Sequence, residues 1–305
     1  MPKAICLAPS EKALSQALQV AKRAHCEINV CHVVNSAHTE DSIASLKPQS
    51  PYKTRLHEIG EKLKQIVADS QVPGSDITGT VQSGTPWQTL LWIVQEGNFD
   101  LVILGARDRN AMGRTMFGRA ASRMLRYCPC PVWTVSSEGE GYPKHILVAH
   151  DLTDSGSRAL KQAALLAQLH NAQLHVLHVL EMPASKRFLG NVTHAELGQA
   201  KANAIETINQ ECAALGVASD VSVRVSEGSA HARILEFLGG QAIDQLCMGS
   251  VARSGLAGVI TGNTAESVFP WIACSLLVVK PESFQSQVHT VPGGNVVEQE
   301  EVSFS

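Results

Sequence analysis

Short apolar runs alternate with longer amphipathic segments along most of the chain. In the second half, five runs have the length and composition of strands: HILVAH, QLHVLHVLE, DVSVRVSEG, DQLCMGS and SLLVVKP. Between them lie Ala- and Leu-rich segments with helical spacing, such as DSGSRALKQAALLAQLHNA, for which Asp154 or Ser155 is the expected N-cap. Strands that alternate with helices predict an α/β fold, a parallel sheet with helices on both faces and right-handed crossovers.

The pattern occurs twice. DITGTVQSG (76–84) matches DVSVRVSEG (220–228), and Gly105 and Gly249 are 144 positions apart, as are Gly118 and Gly262. Near the start, KAICLAPS matches KHILVAHD at a spacing of 141. Such a repeat predicts two copies of one domain, each a five-stranded parallel sheet. We place the domains at 1–138 and 143–282, separated by a polar, glycine-bearing linker, and expect a flexible tail at 283–305.

The last strand of each copy raises a question of packing. PVWTVS and SLLVVK are apolar, and each would be an exposed sheet edge if its domain stood alone. We therefore expect the two edges to meet in antiparallel contact and form an internal pseudo-dimer of the two domains. A homodimer of the whole chain is a further expectation that the sequence leaves open.

Composition narrows the class of protein. Hydrophobic residues make up 44% and charged residues 17%, and the net charge is −3, which is typical of a soluble globular protein. Basic residues never cluster, so we expect no nucleic-acid partner. No apolar run has the length of a membrane span and the N-terminus lacks a signal-peptide profile, so we expect a cytoplasmic protein without a membrane partner. The eight cysteines include no C-x-x-C pair and are expected as reduced, packed thiols; no metal site is expected among the twelve histidines.

One loop stands out, between DQLCMGS and the helix that GNTAES begins. Ligands of parallel α/β sheets lie beyond the carboxyl ends of the strands, where Gly249 stands. Gly249 is expected to take a positive φ and to let a ligand approach, and Asn263 with Glu266 is expected to form a capping box. Amides at this helix start, with Arg253, would then bind a phosphate. The alternative is a pair of turn glycines around a capped helix, which Pro270 should cut short.

The loop resembles the ATP-binding signature of the universal stress protein family, G-x2-G-x9-G-[S/T]. Gly249 and Gly262 have the family's spacing, Ala252 takes the place of the second glycine, and Asn263 stands where Ser or Thr is usual. The chain resembles a tandem universal stress protein over residues 1 to about 282. The resemblance implies ATP as the ligand, with Mg²⁺ accompanying it.

The resemblance also implies a set of site residues in the second domain. Asp151 stands where the family has an adenine-contacting acid, and Val179 where backbone groups contact adenine. The full nucleotide-binding set that we expect is Asp151, Val179, Met248, Gly249, Ser250, Arg253, Gly262, Asn263 and Thr264.

The first domain departs further from the family pattern. Ser10 stands in place of the acid, Asp108 in place of the second glycine, and Arg119 after the third glycine. Asp108 would repel phosphate and Arg119 is bulky for a tight helix start, so this domain is expected not to bind ATP.

No Ser-His-Asp order, carboxylate pair or metal cluster predicts a catalytic site. His150 and Asp151 are adjacent, but successive residues at a strand end point apart, so they are not expected to form an acid–base pair. Three hypotheses follow. The first is a stress-response protein that binds ATP or another adenine nucleotide in the second domain, without catalysis. The second is a scaffold or apolar-ligand binder, whose pocket the segments 36–58 and 181–200, with Phe188 and Leu189, would cover. The third is a weak ATP hydrolase.

Overall fold

The computed structural model of the protein describes residues 1–7, 10–35, 51–70, 73, 75–106, 118–137, 142–181, 193–217, 219, 221–250, 263–286 and 288. The described chain divides into two compact units, the first containing strands β1 to β5 and the second strands β6 to β10.

Unit one alternates strands and helices as the apolar pattern predicts. Its elements are β1 (Lys3–Leu7), α1 (Glu11–Ala24), β2 (Glu27–Val34), α2 (Pro51–Asp69), β3 (Ile77–Ser83), α3 (Pro86–Gly97), β4 (Leu101–Gly105), α4 (Arg119–Tyr127) and β5 (Val132–Val135). Within this unit the strand order is β3-β2-β1-β4-β5, and every pairing is parallel.

Unit two repeats the order. Its elements are β6 (His145–His150), α5 (Asp154–His170), β7 (Gln173–Leu180), α6 (His194–Ala214), β8 (Val221–Glu227), α7 (Ala230–Gly240), β9 (Gln245–Gly249), α8 (Asn263–Val268), a 3₁₀ turn (Phe269–Trp271) and β10 (Ser275–Val279). Its strand order is β10-β9-β6-β7-β8, again parallel throughout. The predicted α/β fold class is confirmed, with five parallel strands in each unit.

Helices cover both faces of the sheet in unit two. Right-handed crossovers place α5 and α6 on one face and α7 and α8 on the other, in agreement with the contacts of α5 with β6, β9 and β10 and of α7 with β7 and α8. The buried face of α5 is largely alanine, which lets the helix lie close to the central strands. Its buried alanines are Ala159, Ala163, Ala164 and Ala167.

Two helix ends test the sequence expectations. The N-cap of α5 is Thr153, not Asp154 or Ser155: its backbone is extended, and its Oγ1 accepts the amide of Gly156 at 3.4 Å. That expectation was wrong by one or two residues. The effect of Pro270 is confirmed, since α8 ends at Val268 and Pro270 lies in the 3₁₀ turn that follows.

The register of the first strands corrects the alignment of the two copies. The amide of Asp100 donates to the carbonyl of Lys3, and the amide of Asp244 donates to the carbonyl of His145. Asp100 and Asp244 are equivalent, so Lys3 corresponds to His145, a spacing of 142 rather than 141. The similar residues of KAICLAPS and KHILVAHD had favoured an alignment of β1 with β6 that is one residue out of register.

The helices after these strands have yet another spacing. His25 and Asn171 are the left-handed C-caps of α1 and α5 and are 146 positions apart. Residues 150–155 of unit two therefore take the place of residues 8 and 9 of unit one, a difference of four residues. Ser10 corresponds to Gly156 and not to Asp151, so the expectation that Ser10 replaces the family's acid was wrong. In unit one Ser10 is the N-cap of α1, where its Oγ accepts the amide of Ala13 at 3.3 Å.

The expectations for cysteines, membrane spans and domain arrangement can be compared with the structure in turn. All eight cysteines are free thiols, six of them buried. No helix among the described residues is long and apolar enough to cross a membrane. The predicted contact between the two edge strands, the domain bounds and the flexible tail stay predictions.

Candidate functional site

The candidate site lies at the carboxyl ends of three neighbouring strands of unit two. All five strands of unit two run in the same direction, but in the order β10-β9-β6-β7-β8 the chain adds β7 and β8 on one side of β6 and then β9 and β10 on the other. Ligands of α/β sheets bind at such a switch in strand order, here between β9 and β6. His150, the last residue of β6, pairs with His178, so Asp151 directly after β6 lies at the level of Val179 in β7, and Gly249 ends β9 next to β6. The fold thus brings Asp151, Val179 and Gly249 to one edge of the sheet.

Asp151 presents an open hydrogen-bond acceptor at this edge. Its Oδ1 accepts the amide of Thr153 at 3.1 Å and the hydroxyl of Thr153 at 2.6 Å. Its Oδ2 accepts no hydrogen bond from the described residues, and the side chain is exposed. One oxygen therefore holds the loop, while the other has the capacity to accept a hydrogen bond from an outside donor, such as an amino group of a ligand.

Position 249 requires glycine for a reason other than the one expected from the sequence. Its φ is not positive, so that expectation was wrong. A Cβ on Gly249 would lie 2.6 Å from Ser155 Oγ, 2.7 Å from the Ser155 carbonyl carbon and 2.9 Å from the Gly156 nitrogen. Glycine is needed because the start of α5 packs directly against the end of β9. The group that approaches Gly249 closely is therefore this helix and not a ligand.

Met248 and Ser250 lie on either side of Gly249 and are both buried. The Ser250 amide donates to the Val279 carbonyl at 2.9 Å, and its Oγ accepts from Lys280 Nζ at 3.0 Å. The Ser250 amide is thus engaged in the sheet, while the hydroxyl that accepts from Lys280 keeps its own O–H donor. The nucleotide-contacting roles of Met248 and Ser250 stay predictions.

Lys280 is a residue that sequence reasoning missed. It follows the last strand, is only 2% exposed, and its Nζ lies 5.1 Å from the centroid of the Phe284 ring. The amino group of Lys280 therefore lies buried next to Ser250, near the end of β9. The signal in the sequence was a lysine directly after the apolar run SLLVV, where a surface lysine is the ordinary interpretation.

His150 was also missed as part of the site. Its Nδ1 accepts the amide of Leu152 at 3.0 Å, and its Nε2 lies 3.2 Å from Glu211 Oε2 on α6. Neither ring nitrogen contacts Asp151, in agreement with the expectation that the two do not form an acid–base pair. Burial lowers the pKa of His150, and the neighbouring carboxylate of Glu211 opposes that shift.

The rest of the expected site is only partly described. Arg253 and Gly262 lie outside the described residues. Asn263 and half-buried Thr264 are the first two residues of α8, so Asn263 is inside the helix and the expectation that it is the N-cap was wrong. Since α8 has only six residues, its dipole adds less to an anion site than the sequence suggested.

A cavity of about 220 Å³ opens elsewhere in unit two, between β7, β8 and α7. Its walls combine Leu177 and Phe237 with the charged groups of Arg224, Arg233 and Glu236. Such mixed walls do not favour the apolar ligand of the second hypothesis. Phe188 and Leu189, which that hypothesis invoked, lie outside the described residues. Within the described ranges, no group of three or more His, Cys, Asp or Glu side chains is arranged to hold a metal ion.

Comparison with known proteins decides the family. The model of the universal stress protein family matches the chain twice, over residues 6–136 and 143–280. The chain belongs to the universal stress protein family. The predicted resemblance is thereby confirmed, including its tandem arrangement.

Relatives and solved structures agree with this assignment. The chain is 24% identical to universal stress protein E of Photorhabdus laumondii over 221 residues, 67% of this chain and 68% of that protein. It is 24% identical to universal stress protein E of Escherichia coli K12 over 220 residues, 67% of each chain. A functionally unknown protein from Pseudomonas aeruginosa PAO1 has a similar fold, with a TM-score of 0.66, 19% identity and coverage of 92% of this chain and 93% of that one.

Proposed function

We propose that this universal stress protein binds ATP or another adenine nucleotide in unit two, and that it acts by binding, without a dedicated catalytic site. The observation that carries the proposal is the position of Asp151, whose open carboxylate oxygen lies at the switch point of the sheet. The amino group of adenine is a donor that such an oxygen recognises.

The neighbours of Asp151 support an adenine site. Val179 is half-buried at the end of β7, next to β6, where its backbone and side chain would border a flat base. The loop between Gly249 and Asn263 would hold the phosphates, with Mg²⁺ entering as their counter-ion. In unit one the segment that carries Asp151 has no counterpart, because two residues stand in place of six. We therefore assign the nucleotide to unit two alone.

The first experiment measures ATP binding by calorimetry in the parent and in Asp151→Ala. Loss of a charged acceptor removes about 1.5–3 kcal/mol, so affinity should fall by about tenfold or more. Asp154→Ala is the matched control, because Asp154 is an exposed acid of the same segment whose carboxylate faces the amide of Glu282. Equal affinity in the parent and Asp151→Ala would contradict the adenine role of Asp151.

A second experiment tests the phosphate loop. Gly262→Asp should abolish binding, because a carboxylate repels phosphate, while an acid near a helix N-terminus favours the helix by about 0.3–1 kcal/mol. A ligand at one hundred times its dissociation constant stabilises a protein by about 2.7 kcal/mol, so ATP should raise the melting temperature of the parent and not of the variant. If the parent shows no thermal shift and no calorimetric signal at millimolar ATP, with or without Mg²⁺, the scaffold hypothesis replaces the proposal. Phosphate release at a steady rate from the parent would favour the hydrolase hypothesis.

A further inference from the structure

The segment that carries Asp151 has a strained backbone held by a single buried ring. Leu152 has a φ of +57°, a left-handed conformation that residues other than glycine adopt at a cost. Its side chain is 40% exposed, so burial of that side chain does not explain the conformation. Its amide donates to Nδ1 of His150 at 3.0 Å, which ties the turn to the core.

The hydrogen bonds determine the tautomer of His150. A backbone amide is only a donor, so Nδ1 must carry a lone pair and the ring proton lies on Nε2. Nε2 then donates to Glu211 Oε2 at 3.2 Å. The His178 ring donates through Nδ1 to the His150 carbonyl at 2.8 Å, which holds the backbone before Asp151. The neutral ring is the form that this arrangement requires.

A second proton on His150 would break the arrangement at Leu152. Nδ1–H would then face the Leu152 amide, donor against donor, and the left-handed turn would lose its only described tie to the core. Thr153 and Asp151 share a hydrogen-bonded turn directly after Leu152, so the carboxylate would move with it. The groups that face His150 are Glu211 on α6, Asp151 on its own loop and His178 on β7. Burial lowers the pKa of His150, and the two carboxylates counter part of this shift.

We propose that His150 is a positioning residue that holds the Asp151 loop in its ligand-binding shape, and that protonation of His150 releases the loop and weakens nucleotide binding in unit two on acidification. This inference rests on the proposed adenine site for its ligand. The proposed pH-dependent hydrogen bond lies within the segment 150–155, for which unit one has only two residues.

The first test needs no nucleotide. In the ligand-free protein at pH 7.5, nitrogen NMR of the His150 ring should show the proton on Nε2, and the Leu152 amide should be protected from hydrogen exchange. As the pH falls through the titration of this ring, Nδ1 should gain a proton and the protection of the Leu152 amide should be lost over the same pH range. A ring protonated at Nδ1 at pH 7.5, or an unprotected Leu152 amide, would overturn the positioning role whatever the protein binds.

The second test measures the affinity for ATP by calorimetry between pH 7.5 and pH 5.5. One linked proton weakens affinity by up to about tenfold per pH unit below the midpoint. His150→Asn retains an acceptor near the position of Nδ1 but does not titrate, so it should bind ATP at pH 7.5 and lose much of the pH dependence. Protonation of the ATP phosphates contributes equally to both profiles and cancels in the comparison. Superimposable profiles would overturn the proposal.

Two further variants separate charge from geometry. Glu211→Gln keeps an acceptor for Nε2–H and removes the charge that favours protonation, so its affinity should match the parent at pH 7.5 and persist to lower pH. His194→Asn, at an exposed histidine of α6, should leave the parent profile unchanged. If the parent binds no ATP at any pH, the proposed function fails, while the NMR test still decides the role of His150.

Discussion

In both units the first helix begins against the glycine that ends the fourth strand in sequence. In unit one a Cβ on Gly105 would lie 2.4 Å from both the Cβ and the Oγ of Ser10, the N-cap of α1. In unit two a Cβ on Gly249 would meet Ser155 and Gly156 at the start of α5. The contact between helix and sheet is the same, but unit two has four more residues between the strand position equivalent to Leu7 and that contact.

The shared contact shows that this glycine is a packing residue in both units. Its presence therefore does not distinguish a unit that binds nucleotide from one that does not. The added segment is what differs, and its Asp151 folds back onto the helix: a Cβ on Gly156 would lie 2.4 Å from Asp151 Oδ1. In unit one the equivalent position is Ser10, whose Oγ accepts the amide of Ala13.

The largest effect is expected from filling these contacts. Gly249→Ala should destabilise the protein by about 1–3 kcal/mol, because the new methyl group meets backbone atoms of α5 that no side-chain change can move. Gly105→Ala meets only the side chain of Ser10, so Gly105→Ala with Ser10→Gly should recover most of the loss. Glycine at an N-cap costs only a few tenths of a kcal/mol. Urea unfolding followed by circular dichroism measures these changes.

The matched double variant in unit two is Gly249→Ala with Ser155→Gly. It removes Ser155 Oγ but leaves the backbone contacts, so it should stay destabilised. Equal recovery in the two units would contradict the difference between side-chain and backbone contacts.

A smaller effect is expected at the second helix of unit two. Thr193 and Glu196 form a capping box at the start of α6, with the Glu196 amide 3.2 Å from Thr193 Oγ1 and the Thr193 amide 2.8 Å from Glu196 Oε2. Thr193→Ala should cost about 1 kcal/mol, and Thr193→Ser should cost much less. Hydrogen exchange measured by mass spectrometry should place the loss in peptides of α6. Equal losses in the two variants would show that the hydroxyl is not the stabilising group.

The smallest effect near neutral pH is expected from buried histidines, which again distinguish the units. Burial lowers the pKa of His150 and of His175, the latter also through neighbouring His145. For a histidine with a lowered pKa in the folded state, stability is complete above the unfolded value of about 6.5 and is lost as pH falls through the folded value. Unit two should therefore lose exchange protection on acidification.

The comparison of the two units supplies the control. None of the described histidines of unit one is buried, so its strands should keep more of their protection between pH 7 and pH 5. His175→Phe, which keeps a ring against Phe237, should remove part of the acid sensitivity of unit two. Equal losses in both units at pH 5 would contradict this interpretation.

Much of the fold could be predicted because it depends on local pattern. The five strands of each unit, the tandem repeat and the end of α8 before Pro270 follow from apolar runs, self-similarity and the geometry of proline. Asp151 and Val179 could be chosen through the resemblance to the universal stress protein family, and Gly249 because ligands of parallel sheets lie beyond the carboxyl ends of the strands.

The features that could not be predicted from the sequence depend on hydrogen bonds between segments that are distant along the chain. The one-residue error in aligning the first strands arose because similar letters match in more than one register, and only the hydrogen bonds of Asp100 and Asp244 decide between them. The bond from His150 to Glu211 spans 61 residues, and that from His178 to the His150 carbonyl spans 28. The sequence by itself determined that Asp151, Val179 and Gly249 reach the carboxyl edge of unit two. The tertiary structure alone decided which polar groups at this edge are engaged and which are open, since each hydrogen bond formed across the fold removes a donor or an acceptor from those that a ligand can use.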